Sequence, residues 1–208
     1  MKKQFGMVMM LAMLMSFAGC FPGGPEFVDQ LDVVYTDFDE EFDFTNSLTY
    51  SLPDGVIEIT DKDPGNNPPE FIDEVFSDAI LDRIRQNMTA YGFTEVDEDN
   101  DPDIVFLASA MSNDFYYYYN PCYWCWYYPG WGPGYGWGYP WYPGYVSGYS
   151  TGTIFLQMVD PANVVGEEIP VVWTGVINGL LQGSDASIVQ RINVTVDQAY
   201  SQSTYLDK

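Results

Sequence analysis

The sequence predicts an α+β fold: a single small domain with a mostly antiparallel or mixed sheet, two helices packed on one face, and a long aromatic, Gly- and Pro-rich loop. Three observations predict it. Ile72, Val75, Phe76, Ala79, Ile80, Ile84, Met88 and Tyr91 recur at helical spacing, while Asp73, Asp78, Asp82 and Arg85 fall mostly elsewhere. Residues 103–111 (DIVFLASAM) form a continuous apolar run, the pattern of a strand buried on both faces. The order along the chain is then strand, helix, strand, long loop, strand, strand, helix, which places helices on one side of a sheet.

Before the domain comes a leader. Lys2 and Lys3 precede an apolar run from Phe5 to Ala18. At ~14 residues the run is too short to span a bilayer, which needs ~20, and suits the apolar region of a secretory signal over residues 1–19. Phe17-Ala18-Gly19-Cys20 resembles the bacterial lipobox, with Phe17 where Leu is usual. The resemblance implies cleavage before Cys20, diacylglycerol on its sulfur and a further acyl chain on its amine. Each buried methylene contributes about 0.8 kcal/mol, so such an anchor holds firmly to a membrane. Phe21-Pro22-Gly23-Gly24-Pro25 cannot be helical and makes 20–30 a flexible tether to a domain over 31–208. Phe21 is not the Asp that retains lipoproteins in the inner membrane, so an outer-membrane location, facing periplasm or cell surface, is expected.

Within the domain, Val33-Val34-Tyr35 reads as a first strand and residues 47–52 as a second. Residues 54–69 are rich in Asp, Gly, Asn and Pro and read as a loop. Asn67, Pro68 and Glu70 supply a cap, a first-turn proline and a capping-box acid, predicting that the first helix starts there. Gly92 is placed to end it in the left-handed conformation. Residues 152–160 (GTIFLQMVD) and 170–181 (PVVWTGVINGLL) read as strands, the second broken by Gly175 and Gly179. The last helix starts at Ser184 and puts Ile188, Ile192, Val196 and Ala199 on one face.

Composition excludes several functions. Without Lys2 and Lys3, five basic residues (Lys62, Arg83, Arg85, Arg191 and Lys208) face thirty acidic ones, a net of about −25. Phosphate binding needs clustered Lys and Arg, so nucleic acid is excluded as a partner and charge-driven adhesion to anionic headgroups is disfavoured. The chain contains no His, the usual general base and commonest transition-metal ligand. No cofactor and no metal site are expected, and an enzyme would have to work with carboxylates.

Two acidic clusters stand out. Asp97, Asp99 and Asp101 share the spacing that opens a calcium loop, but Pro102 stands where that loop needs Gly and Ala108 where it needs Glu. Asp37, Asp39, Glu40, Glu41 and Asp43 form the second; paired carboxylates hydrolyse glycosides only when the fold sets their separation. The first reads as a solvated turn between helix and strand, with weak calcium binding as the alternative; alternation puts Asp37 and Asp39 of the second on one strand face, the wet one, and no catalytic residue is assigned.

Residues 115–149 are unlike the rest. Eighteen of these thirty-five residues are aromatic, none is charged, and they hold five of the six Trp. Cys122 and Cys125 have CxxC spacing, yet Pro121, Pro129, Gly130 and Gly132 leave no helix to activate a thiol; a local disulfide or two buried thiols is expected. Trp124, Trp126, Trp131, Trp137, Trp141, Tyr135 and Tyr139 are candidates for a contact surface toward protein, glycan or lipid, because large exposed apolar patches mark contacts. The alternative is a segment packed over its own sheet.

Several motifs in order resemble the DUF4136 family of bacterial lipoproteins across about residues 31–205. They are Asp37-Phe38-Asp39, Asp43-Phe44 and Leu48-Thr49-Tyr50, then Asp101-Pro102-Asp103-Ile104-Val105. Ser150-Thr151-Gly152-Thr153-Ile154 with Asp160, and Val172-Trp173-Thr174-Gly175, resemble the family's hairpin. Leu52 replaces the usual aromatic and Thr174 the usual Arg. The resemblance implies an α+β lipoprotein domain with no assigned activity. The expectation is therefore a non-enzymatic outer-membrane lipoprotein, anchored by its N-terminal lipid, whose aromatic loop meets an envelope protein. A periplasmic or surface glycan-binding module is the alternative, and a carboxylate-based hydrolase comes third.

Overall fold

The structure, a computed structural model, describes residues 32–59, 70–111, 139–141, 152–164, 168–180 and 183–208. Eight strands build one mixed sheet. Its main path runs β1 (Val33–Phe38), β9 (Glu168–Asn178), β8 (Thr153–Val159), β6 (Ile104–Met111), β2 (Thr49–Ser51) and β5 (Thr94–Glu95). Beyond β2, the short strand β3 (Ile57–Glu58) also lies along β6 and carries β4 (Glu70–Phe71) on its other side. The pairs β1–β9, β9–β8 and β8–β6 are antiparallel, while β2, β3 and β5 join in parallel. A ninth strand, β7 (Tyr139–Trp141), pairs in parallel with the start of β9.

Both helices, α1 (Glu74–Ala90) and α2 (Asp185–Gln202), pack on one face. Alternation along the strands sends Phe106, Ala108, Leu156 and Met158 toward them, where Ile80, Ile84, Met88, Ile192 and Val196 complete the main core. Trp173 is fully buried here and donates from Nε1 to Ser203 Oγ at 2.9 Å, so its one polar atom is satisfied. The opposite parity holds a second cluster of Val105, Leu107, Val159 and Ile169. β6 is thus buried on both faces, as its unbroken apolar run predicts.

Local chemistry moves several boundaries. The first helix does not start at Asn67–Pro68; it starts at Glu74, because Asp73 accepts from Val75 N and caps it. The preceding residues are drawn into the sheet: Phe71 pairs with Ile57, and Ile72 N donates to Val56 O. Asn67 and Pro68 themselves lie outside the described residues. Residues 57 and 58, expected in a loop, are therefore strand. Gly175 does not break β9, which runs through it to Asn178. The Trp173 indole covers Gly175 so closely that a β-carbon there would sit 2.8 Å from the ring. Gly179 ends the strand at φ +120°, and Gly92 ends α1 at φ +88°, as expected.

Candidate functional site

The ladder registers bring three chain crossings to one end of the sheet. Val33, Asn178, Thr153 and Met111 form a single transverse row across β1, β9, β8 and β6. At this row the chain arrives from residue 31, leaves toward the aromatic segment after Met111, and returns at Gly152.

The arrival is locked. Asp32 meets Arg191 of α2 through a bidentate pair, with Nε to Oδ2 at 2.8 Å and a second contact from Nη2 to Oδ1. The same Nη2 donates to the carbonyl of Gly179. Both side chains are nearly inaccessible, at 7% and 5% exposure, so this is a buried ion pair rather than a surface one. A β-carbon on Gly179 would collide with Asp32, which fixes glycine at that turn.

Beside this lock lies an apolar cleft of about 240 Å³ between the two helices and the row. Ile72, Phe76 and Ile80 of α1 and its approach, Ile188 and Ile192 of α2, and Ile154 of β8 form its walls. Among the described residues its charged lining side chains, Glu58 and Asp73, are both acids.

A second cleft, of about 810 Å³, is polar and sits at the opposite edge of the sheet beside β5. Ser51, Asp54, Glu95, Asp97, Glu98 and Asn100 line it. Glu95 is held by Arg85, whose Nε lies 3.1 Å from Oε2, and accepts from the Tyr50 hydroxyl. Burial, reinforced by the Asp99 and Asp54 carboxylates, raises the Glu98 carboxyl above its usual value. The buried Ser51 hydroxyl finds no hydrogen-bond partner among the described residues.

The predicted acidic clusters are used up locally. Asp43 accepts from the Thr45 and Asn46 amides, Asp39 from Glu41 N, and Asp37 from Phe38 N. Asp43 and Asp39 each close a turn of their own chain, while the Asp37 contact is to its own neighbour within β1. Asp97–Asp103 forms a short 3-10 turn at Glu98–Asn100 with Asp101 at φ 48°. Asp103 Oδ2 then accepts from Leu48 N, Thr49 N and Thr49 Oγ1, each at 2.8 Å, clasping β2 to the head of β6. Burial pulls the Asp103 carboxyl up, and these hydrogen bonds outweigh it and hold it below the usual carboxylate range. Among the described residues no three acidic or sulfur side chains converge on a metal position. Asp160 behaves the same way, accepting from Ala162 N and Asn163 N in the β8–β9 turn.

Tyr139 and Trp141 fall in β7, where their backbones pair opposite Glu168 and Pro170. Cys20, Cys122, Cys125, Trp124, Trp126, Trp131, Trp137 and Tyr135 lie outside the described residues.

A family model for a domain of unknown function, DUF4136, matches residues 34–203. The chain belongs to the DUF4136 family. A crystal structure of a DUF4136 family protein from Bacteroides thetaiotaomicron is 31% identical, with a TM-score of 0.65, covering 85% of this chain and 97% of that one. Two more distant structures give TM-scores of 0.39, too low to argue from. One is the PelC dodecamer from Paraburkholderia phytofirmans, 8% identical over 85% of this chain and 99% of that one. The other is a PDZ domain protein from Parabacteroides distasonis, 16% identical over 80% of this chain and 36% of that one. No curated protein matches the chain.

Sequence reasoning missed both clefts and the Asp32–Arg191 lock. One signal for the lock was present: Arg191 is one of five basic residues of the domain, and it stands beside Ile192 on the apolar face of its helix.

Proposed function

We propose that this DUF4136 protein is a lipid-anchored module of the outer membrane that works by contact rather than catalysis, with the uncharged aromatic segment as its contact surface toward another envelope protein. The observation that carries this reading is the shared row. The point where the tether reaches the domain and the points where the aromatic segment leaves and returns are strand neighbours at one end of the sheet. A domain held by Cys20 would present that end toward its membrane, where Trp and Tyr rings settle with one edge wet. No helix among the described residues is long and apolar enough to cross a membrane.

A photo-crosslinking residue at Trp131 in cells tests the reading: a single defined envelope protein is the expected adduct. Adducts spread over many proteins, or none, overturn it. The anchor is tested separately by Cys20→Ser, which should release the protein from the membrane fraction.

A second reading, glycan binding, is favoured by the polar cleft. Its carboxylates are hydrogen-bond acceptors of the kind sugar hydroxyls need. Titration with peptidoglycan fragments should then perturb amide signals of Ser51 and Asp97; a flat titration removes this reading.

A further inference from the structure

The apolar cleft and the arriving chain are neighbours. Arg191 and Gly179, which hold Asp32, are each followed directly by a residue that lines the cleft, Ile192 and Leu180. Strands in a sheet lie ~4.8 Å apart, so the row from Val33 to Met111 spans only ~15 Å. Eleven residues, 21–31, separate Cys20 from Asp32. Fully extended they reach ~36 Å, more than enough to bring an acyl group on Cys20 to the cleft.

We infer that the cleft seats one acyl chain of the protein's own lipid-modified N-terminus, an inference that rests on lipidation at Cys20. The walls are aliphatic and aromatic, and the cleft volume of about 240 Å³ exceeds that of an apolar cavity of ~150 Å³ that already takes benzene. It accommodates part of an alkyl chain, with the remainder outside. Charge selects the source. Glu58 and Asp73, the charged side chains that line it among the described residues, are both acids and disfavour a free fatty acid or an anionic phospholipid. A chain linked to Cys20 through an ester or amide brings no charge to the mouth. With one chain seated the others stay available to the bilayer, and two chains suffice for stable anchoring.

The test uses the full protein made in cells fed a palmitate analogue that carries an alkyne and a diazirine. The protein is irradiated in membranes and again after extraction, then digested, and the crosslinked peptides are mapped. The expected result is label on Cys20 with crosslinks to the peptides holding Ile72–Phe76 or Ile188–Ile192, stronger after extraction. Ala110→Phe, which fills the cleft from β6, should cut those crosslinks at least fivefold while label on Cys20 is unchanged. Absence of label from Cys20 overturns the lipidation reading and the inference together. Label on Cys20 with crosslinks only to lipid, to residues 112–151 or to another protein overturns the inference alone.

Discussion

The two clefts of this domain are built from opposite materials. The one between the helices is walled by Ile72, Phe76, Ile154 and Ile192 and stands beside a buried ion pair. The one at the β5 edge is lined by carboxylates and belongs to short strands and a 3-10 turn. About six residues of β6, ~20 Å, separate their levels on the sheet. The difference teaches where stability and charge have been divided. The end that receives the tether is apolar and locked, while the carboxylates at the other end serve the Asp103 clasp, the Arg85–Glu95 pair and an exposed turn.

The sharpest way to break that contrast is to remove the lock. Arg191→Met strands the Asp32 carboxylate in a nearly inaccessible place, and breaking a buried pair in this way costs about 3–5 kcal/mol. Arg83 also pairs with a carboxylate of α2, Asp197, but at 31% and 39% side-chain exposure. Arg83→Met should cost about 1 kcal/mol or less. Urea midpoints of the two variants decide the matter; equal losses would mean that the Asp32–Arg191 pair is no more than a surface bridge.

A smaller effect is expected from the cleft wall itself. Ile192 is 2% exposed and contacts both the core and the cleft. Ile192→Ala should cost about 2–3 kcal/mol, the low end for such truncations, because the space beside it is already open. In the polar cleft the sign reverses. Ser51→Ala removes a buried hydroxyl that has no partner among the described residues, and should leave stability unchanged or raise it by about 1 kcal/mol. A clear loss in Ser51→Ala would reveal a bound water or ligand group on that oxygen.

The apolar half of this contrast was the more legible in the sequence. The periodicity of Ile80, Ile84 and Met88, the unbroken run of β6 and the caps at Gly92 and Ser184 are local signals, and each appears where it was expected. The start of α1 was misplaced because Phe71 prefers a partner far along the chain, Ile57, over the helix its neighbours encode. Gly175 looked like a break because the ring that covers it, Trp173, acts through side-chain packing that spacing does not reveal. The lock joins residues 159 positions apart and the polar cleft joins two separate turns, so neither leaves a local motif.

The finest test of the acidic region compares Asp103 with Glu98, which lie five positions apart and titrate in opposite senses. The folded state lowers the Asp103 carboxyl, so it contributes stability above the unfolded value, near pH 3.9, and loses it as pH falls through the lower folded value. Glu98 is raised, so the folded state binds its proton more tightly than the unfolded chain does. Its contribution is present below the unfolded value, near pH 4.3, and is lost as pH rises through the folded one. Asp103→Asn should therefore flatten the acid limb of the stability profile below about pH 4. Glu98→Gln should instead stabilise the protein at pH 7, by about 0.5 kcal/mol or less because the group is largely exposed and screened. Adding salt should shrink the part of the Glu98→Gln gain that comes from repulsion by Asp99 and Asp54, which adds to the larger effect of burial. The Asp103 hydrogen bonds to Leu48 and Thr49 should persist in salt. If both variants responded to salt alike, the carboxylate clasp and the carboxylate cleft would not be the different structures that their geometry describes.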